Sequence, residues 1–232
     1  MTHDGRLANR GGLRHLMLVT LSANIVFADE GRLFDFETDR GDKPPAEFTA
    51  ALTGGGADVK WLVKEVSAPP SGRQVVAQLS ADKTNRRYPI LIHNGIYARD
   101  LDLSVKFKTI SGEVDASGGL IFRYQDIGNY YVVRANSLED NVVAYKTEDG
   151  RRNSTGVEGR RNSYGVDVSV PHQTWNTLSV IVRGKQFQVY LNDRKLFEVS
   201  NEVFLEAGQI GLWTKADAVT HFDDLQVRVL DE

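Results

Sequence analysis

The sequence contains no cysteine, only six prolines among its 232 residues, and no long hydrophobic run. Without cysteine the chain forms neither disulfides nor thiolate metal sites, so a bound metal ion must take oxygen or histidine ligands. The five histidines show no ligand spacing. The fold must therefore be held by a hydrophobic core, for which an apolar content of 41% is ample.

The chain also lacks a basic excess, because 28 lysines and arginines stand against 31 aspartates and glutamates. Without the first 28 residues, 25 basic and 30 acidic residues remain, a net charge of −5. Nucleic-acid binding depends on clustered Lys and Arg that neutralise phosphates. We therefore expect no nucleic-acid partner.

The first 28 residues have the pattern of an export signal. Three arginines precede an apolar segment, Leu16 to Ala28, which ends with small or aliphatic residues where a signal is cleaved. Its 13 residues are too few for a transmembrane helix, which needs about 20. We expect residues 1–28 to be a signal peptide, and the mature chain to have no transmembrane segment and to be secreted or periplasmic in a bacterial envelope. The alternative is an N-terminal anchor or a core helix.

The rest of the chain shows the period-two alternation of β-strands. Apolar and polar residues alternate in Leu101–Phe107, and two alternating runs flank the turn Arg183-Gly184-Lys185. About a dozen such runs follow one another, with no amphipathic helix or linker between them. We predict one all-β domain, residues 29–232, folded as a two-sheet antiparallel jelly-roll sandwich.

Three segments carry a family resemblance: SGGLIFRYQDIGNYYVVRANSLEDNVVAYK, WNTLSVIVRGKQFQVYLNDRKLFEV and AGQIGLWTKADAVTHFDDLQV. They resemble the concanavalin A-like lectin/glucanase superfamily, in its bacterial laminin G-like branch. A more distant similarity, carried by Trp175-Asn176-Thr177, is to 3-keto-disaccharide hydrolase domains, although the Asn of their Asn-Ser-Gly-Ile-Phe-x-Arg strand and the acidic residue that follows are missing. The resemblance implies the sandwich fold and leaves lectins, glycoside hydrolases and adhesion modules open.

The residues argue against a laminarinase-type glycosidase, which places two catalytic carboxylates about 5 Å apart, as Glu-x-Asp-x-x-Glu on one strand. The nearest match, Glu113-Val114-Asp115, lacks the third acid because Ala116, Ser117 and Gly118 follow. Gly-x-Ser-x-Gly, Walker and His-Glu-x-x-His motifs are absent too. We expect an exported protein that binds carbohydrate without cleaving it. A hydrolase of the 3-keto-disaccharide type and a structural or adhesive envelope protein are the alternatives.

One predicted sheet face combines aromatic and cationic side chains. If the aliphatic residues of GLIFRYQ, YYVVRAN and IGLWTK face the core, the residues between them lie on the outer, usually concave face. Such a face suits an oligo- or polysaccharide, and its cations favour an acidic or oxidised one. Solvated strand residues paired with acids are the alternative. The predicted ligand-binding residues are Arg123, Gln125, Tyr130, Arg134, Asn136, Trp213 and Lys215.

Carboxylates stand near both ends of the predicted domain, in Phe34-Asp35-Phe36-Glu37 and in Phe222-Asp223-Asp224-Leu225. The first and last strands of jelly rolls commonly pair, which would bring these carboxylates together as oxygen ligands of the kind Ca²⁺ takes. We predict one structural calcium ion on Asp35, Glu37 and Asp223, with solvated carboxylates as the alternative. No organic cofactor is predicted.

Residues 150–167 contain a nine-residue repeat, GRRNSTGVE followed by GRRNSYGVD. The four arginines are offset by nearby acids, so this stretch is not expected to bind nucleic acid. Surface loops tolerate such insertions at small thermodynamic cost. We expect a lengthened hairpin with exposed GRRNS units, or alternatively a loop that reaches toward an acidic glycan.

Overall fold

The structure, a computed structural model, describes Met1 and residues 31–156 and 165–230. The described ranges contain no helix, so none that is long and apolar enough to cross a membrane. They form two antiparallel sheets, which confirms the predicted all-β jelly-roll sandwich. The predicted signal peptide, apart from Met1, and most of the second GRRNS copy lie outside the described residues.

The first sheet has the strand order β14-β13-β12-β6-β16-β4-β3, and β1 pairs with β16. Its strands are β1 (Arg32–Phe34), β3 (Trp61–Glu65), β4 (Gln74–Gln78), β6 (Leu101–Ser111), β12 (Asn176–Arg183), β13 (Gln186–Leu191), β14 (Arg194–Ser200) and β16 (Val219–Val229).

The second sheet has the order β10-β9-β8-β7-β15-β5-β2, and β11 pairs with β9. Its strands are β2 (Phe48–Gly54), β5 (Arg87–Ala98), β7 (Ser117–Asp126), β8 (Asn129–Asn136), β9 (Asn141–Glu148), β10 (Arg151–Ser154), β11 (Gly165–Asp167) and β15 (Gly208–Trp213).

The core lies between the two sheets and follows from the sequence alternation. Every second residue of β6 from Leu101 to Phe107 is fully buried, while the residues between them are half-buried. Burying one such side chain stabilises the fold by about 1.5–3 kcal/mol. The sheets approach closely at Gly118, where a Cβ atom would lie 2.8 Å from a ring carbon of Phe107. Glycine is therefore required at this position.

Two features of the termini and turns agree with the sequence. The first and last strands pair, with Phe34 opposite Leu225. The β13–β14 turn is formed by Asn192 and Asp193, whose φ angles are 49° and 63°. Asn and Asp tolerate positive φ better than other side chains, so the turn needs no glycine here.

Candidate functional site

The outer face of the second sheet carries an apolar cluster that is separate from the core. It is made of alternate residues of β5, β7, β8 and β15, and all of them are buried. The outer face of an antiparallel sheet is more commonly polar and solvated. We call this surface the aromatic face; its residues are Tyr88, Ile90, Ile92, Ile121, Tyr130, Val132 and Trp213.

Stacked rings organise the aromatic face. Trp213 stacks on Tyr88 with ring centroids 5.5 Å apart, and Tyr130 stacks on Tyr124 at 5.9 Å. The Tyr130 hydroxyl donates a hydrogen bond to Oγ1 of Thr53 at 3.1 Å. Burial raises the pKa of Tyr130, so its hydroxyl stays neutral and remains a donor at physiological pH.

Arg152 of β10 lies over the aromatic face. Its guanidinium carbon is 4.2 Å from the ring centroid of Tyr145, 5.2 Å from Tyr88 and 5.8 Å from Trp213. These are cation–π distances. The first GRRNS copy is therefore a strand paired with β9, and its Arg152 is half-buried, whereas Arg151 is exposed as expected for a lengthened hairpin.

An ion pair borders the aromatic face on β8. The guanidinium of Arg134 donates to Glu139 at 2.6 Å and to Asn141 at 2.9 Å, although only 3% of the Arg134 side chain is exposed. Burial by itself lowers the pKa of Arg134, but the nearby Tyr145, Asp115 and Glu139 outweigh burial and raise it. Arg134 is thus a permanently charged donor in a poorly solvated place.

A second ion pair stands beside the first. The ammonium of Lys215 donates to Oδ2 of the fully buried Asp115 at 3.0 Å. Asp115 is held in place by the carboxylate of Asp217, which accepts the backbone N–H groups of Glu113, Val114 and Asp115 at 2.8–3.2 Å. The loop before β7 is therefore fixed by hydrogen bonds that leave the Asp115 side chain directed at Lys215.

Most of the unpaired buried polar atoms of the described residues lie on this face. Four of them belong to residues of the two ion pairs or to the adjacent Ser117 and Asn136: Asp115 Oδ1, Ser117 Oγ, Arg134 Nε and Asn136 Nδ2. A fifth, Arg152 Nη1, belongs to the guanidinium over the rings. We call the group Asp115, Ser117, Arg134, Asn136 and Lys215 the polar end.

Two further unpaired atoms, of Thr147 and Trp213, lie near the Tyr130 hydroxyl. An unmade hydrogen bond at a buried polar atom costs about 1–3 kcal/mol, so this concentration is unusual for a purely structural surface.

The structure brings together five of the seven predicted ligand-binding residues. Tyr130, Arg134 and Asn136 share the outer face of β8, and Trp213 and Lys215 continue it on and after β15. Asn136 uses its Oδ1 to accept the backbone N–H groups of Leu138 and Glu139, which leaves Nδ2 free.

The predicted position of Arg123 is wrong, because a bulge interrupts the alternation of β7. The pairing register shifts between Phe122 and Asp126, and Arg123 has a φ of 48°. The bulge turns Arg123 inward, 5.8 Å above the ring of Phe187. Its guanidinium is fully buried and donates to four oxygens: Arg99 O, Asp100 Oδ1, Gly184 O and Phe204 O.

The bulge also displaces the next two residues. Tyr124, which strict alternation assigns to the core, packs against the aromatic face instead. Gln125 is exposed, and its amide donates to the carbonyls of Arg123 and Ala207. Gln125 therefore lies apart from the polar end, which corrects its predicted place in the site.

The three predicted calcium ligands do not assemble into a metal-binding group. No cluster of three or more acidic or histidine side chains is spaced to hold a metal ion within residues 31–156 and 165–230. Glu37 Oε1 accepts the backbone N–H groups of Arg73 and Gln74, and Asp223 accepts those of Ser71 and Asp224. These carboxylates already have backbone partners, and the calcium ion stays a prediction.

Sequence reasoning missed several residues of the face. Tyr88 lies in a strand whose sequence shows no polar alternation, and the sequence around Arg152 predicts a loop. Asp115 and Ser117 follow a turn, where alternation cannot assign a face. Ser117 pairs with Asn136, and Arg152 pairs with Thr147; this strand register puts both residues on the aromatic face.

The sequence matches one family over residues 55–228, three quarters of the chain, and the family is described as a 3-keto-alpha-glucoside-1,2-lyase-like domain. The chain therefore belongs to this family, in agreement with the similarity to 3-keto-disaccharide hydrolase domains. A comparison with curated proteins gives no match.

Several solved structures have the same architecture. The carbohydrate-binding module CBM66 from Bacillus subtilis is 19% identical, with a TM-score of 0.58 over 77% of this chain and 94% of that one. The cellulose-induced protein Cip1 is 10% identical, with a TM-score of 0.64 over 86% and 97%. The carbohydrate recognition domain of Emp47p is 14% identical, with a TM-score of 0.53 over 88% and 96%. At these identities the likeness shows the fold, a concanavalin A-like jelly roll.

Proposed function

We propose that the protein binds a saccharide at the polar end of the aromatic face, without cleaving it, and that it prefers an acidic or oxidised sugar. The observation that carries this proposal is the group of unpaired buried polar atoms around Asp115 and Arg134. Sugar hydroxyls both donate and accept hydrogen bonds, so one ring can satisfy several of these atoms at once.

Each group has a distinct part in such binding. Asp115 Oδ1 accepts from a hydroxyl, Arg134 Nε and Asn136 Nδ2 donate, and Ser117 Oγ does either. The cations nearby are Arg134, Lys215 and Arg152, and they are balanced by the anions Asp115, Glu139 and Asp217. The preference for a carboxylate or a polarised carbonyl therefore rests on the free donors Arg134 Nε and Asn136 Nδ2, not on an excess of positive charge.

Entry of a sugar requires Arg152 to move. Its guanidinium covers the rings of Tyr145, Tyr88 and Trp213, the surfaces against which the apolar face of a sugar would stack. Arg152 belongs to an edge strand of only four residues, so displacing it leaves the rest of the sheet paired.

Ser117→Ala tests the proposal without disturbing the fold. Because Ser117 Oγ is buried and unpaired, its removal should leave the free energy of unfolding unchanged or raise it. Affinity for an acidic oligosaccharide, measured by calorimetry, should fall about 5- to 10-fold, the effect of one lost hydrogen bond.

Thr214→Val is the matched control, since Thr214 Oγ1 is also buried and unpaired but Thr214 is not part of the aromatic face. The proposal is wrong if both variants bind like the parent chain, or if no acidic or neutral oligosaccharide binds at all.

Elimination from a 3-keto-glycoside is the second candidate function, favoured by the family match over residues 55–228. A ketone at C3 acidifies the proton at C2. A base removes this proton, the C1–O bond breaks with its electron pair on the leaving oxygen, which takes a proton from water, and a C1=C2 double bond conjugated with the ketone is formed. Asp115 Oδ1 is the carboxylate oxygen available to take the proton. Absorbance of the conjugated enone, formed by the parent chain and lost in Asp115→Asn, would support cleavage over binding alone.

We also propose that residues 1–28 direct export and are removed. N-terminal sequencing of protein recovered from the periplasm or the medium tests this, and the expected mature chain begins at Asp29. An unprocessed chain retained in the cytoplasm would contradict it.

A further inference from the structure

A groove lies on the outer face of the first sheet, the opposite side of the sandwich from the aromatic face. Its volume is about 350 Å³, and it is lined by residues of β3, β6 and β16 and of the segments after β3 and before β12. Its lining combines two lysines, an indole and an imidazole with aliphatic and acidic side chains: Lys64, Glu65, Val66, Ser67, Lys108, Ile110, Trp175 and His221.

The strand register brings the cations of this groove together. His221 of β16 stands directly opposite Lys108 of β6, and Lys64 lies two strands away on β3. Burial, followed by the charges of Lys64 and Lys108, lowers the pKa of His221 to about 4. The imidazole is therefore neutral at neutral pH, and the two lysines supply the positive charge.

Those two lysines differ from three paired cations of the same sheet. Lys106, Lys195 and Arg228 each pair with a carboxylate. Within the described part of the chain, Lys64 and Lys108 have no ion-pair partner, although both are half-buried. The lining contains one carboxylate, the exposed Glu65. The groove thus keeps an excess of positive charge.

Trp175 forms one wall of the groove. Its indole Nε1 donates to the carbonyl of Ala68 at 3.3 Å, which fixes the ring, and the residue is half-buried. A fixed indole beside two unpaired ammonium groups combines a stacking surface with anion donors. We propose that this groove binds an anionic sugar residue, with the ring against Trp175 and the carboxylate or sulfate between Lys64 and Lys108. The proposal is independent of ligand binding at the aromatic face.

The test is a titration of the full chain with tri-galacturonate, its uncharged methyl ester and sodium sulfate, followed by backbone amide NMR. Tri-galacturonate should shift the amides of residues 64–67 and 108–110, and the ester should bind at least tenfold more weakly. The variant Lys64→Gln/Lys108→Gln should lose at least tenfold in affinity. The matched control Lys195→Gln/Arg228→Gln removes two charges from the same sheet and should change affinity less than twofold.

Three outcomes overturn the inference. Equal losses in both double variants would mean that only overall charge attracts the ligand. Sulfate binding as tightly as the trisaccharide would reveal a simple anion site, to which the sugar adds nothing. An absence of amide shifts in these segments would exclude the groove. Ser117→Ala should leave the shifts of residues 64–67 and 108–110, and the affinity derived from them, unchanged, because these amides report on the groove and not on the aromatic face.

Discussion

The outer faces of the two sheets differ in how their charged and aromatic side chains are exposed and paired. On the outer face of the first sheet, several charged residues are partly exposed and paired, as Arg228 is with Asp102 at 3.0 Å and Lys106 with Asp224 at 2.7 Å. On the second sheet, aromatic rings are buried, and the charged groups beside them keep unpaired polar atoms. Exposed pairs contribute little to stability, whereas buried polar groups are costly unless they are used. This difference between the two outer faces supports the proposed binding site on the second sheet.

The largest expected contrast is between two arginines. Arg134→Met should lower the free energy of unfolding by about 3–5 kcal/mol, because it removes two hydrogen bonds from a charged donor, to Glu139 and Asn141, each worth about 1.5–3 kcal/mol. Arg228→Met, on the first sheet, should cost less than about 1 kcal/mol, since 54% of the Arg228 side chain is exposed. Urea denaturation measures both, and equal losses would remove the contrast.

On the first sheet, Asp223 differs from the exposed charged residues because it is fully buried. Burial, then the charges of Asp224 and Glu37, raises the pKa of Asp223 to about 7. In the unfolded chain this carboxyl ionises near its ordinary value, so the folded state holds the proton to higher pH. Its stabilising contribution is therefore complete below pH 4 and is lost as the pH rises through 7.

The free energy of unfolding of the parent chain should accordingly fall by up to about 4 kcal/mol between pH 4 and pH 8, and Asp223→Asn should not show this fall. Denaturation at several pH values measures it, with Asp224→Asn as the control. Repeating the series with millimolar calcium also tests the predicted calcium ion. Calcium that stabilises the parent chain at pH 8 but not Asp223→Asn would support that ion.

The smallest expected effect concerns the cover of the aromatic face. Arg152→Ala should cost only about 0.5–1 kcal/mol, the typical value of a cation–π contact. It should, however, make the fluorescence of Trp213 more accessible to acrylamide. Arg151→Ala, the exposed neighbour, is the control, and similar quenching in both variants would mean that Arg152 does not cover the rings.

Much of the fold was predictable because the alternation of apolar and polar residues shows which face of a strand is buried. Strands such as β6 and β12 are recognisable from their apolar periodicity alone. Strand β2 was missed, since its central residues are Ala50 and Ala51, small side chains that give a weak apolar signal. The short β1 and β10 are defined only by their neighbours β16 and β9.

The site was predictable where strands are regular and not where they are irregular. Tyr130, Arg134, Asn136 and Trp213 share a face because β8 and β15 keep the alternation at these residues. Arg123 left the face because one residue adopted positive φ, a conformation that no arginine side chain signals.

By itself, the sequence determined the sandwich, its apolar core and the mixed aromatic and cationic character of one sheet face, because strand periodicity is local. Only the tertiary structure decided which side chains meet there. Asp115 contacts Lys215, which is 100 residues away in the sequence. Arg152 covers rings from three different strands. The first copy of the duplicated GRRNS stretch thus forms the edge strand β10 beside the aromatic face, and its pairing with β9 sets this position.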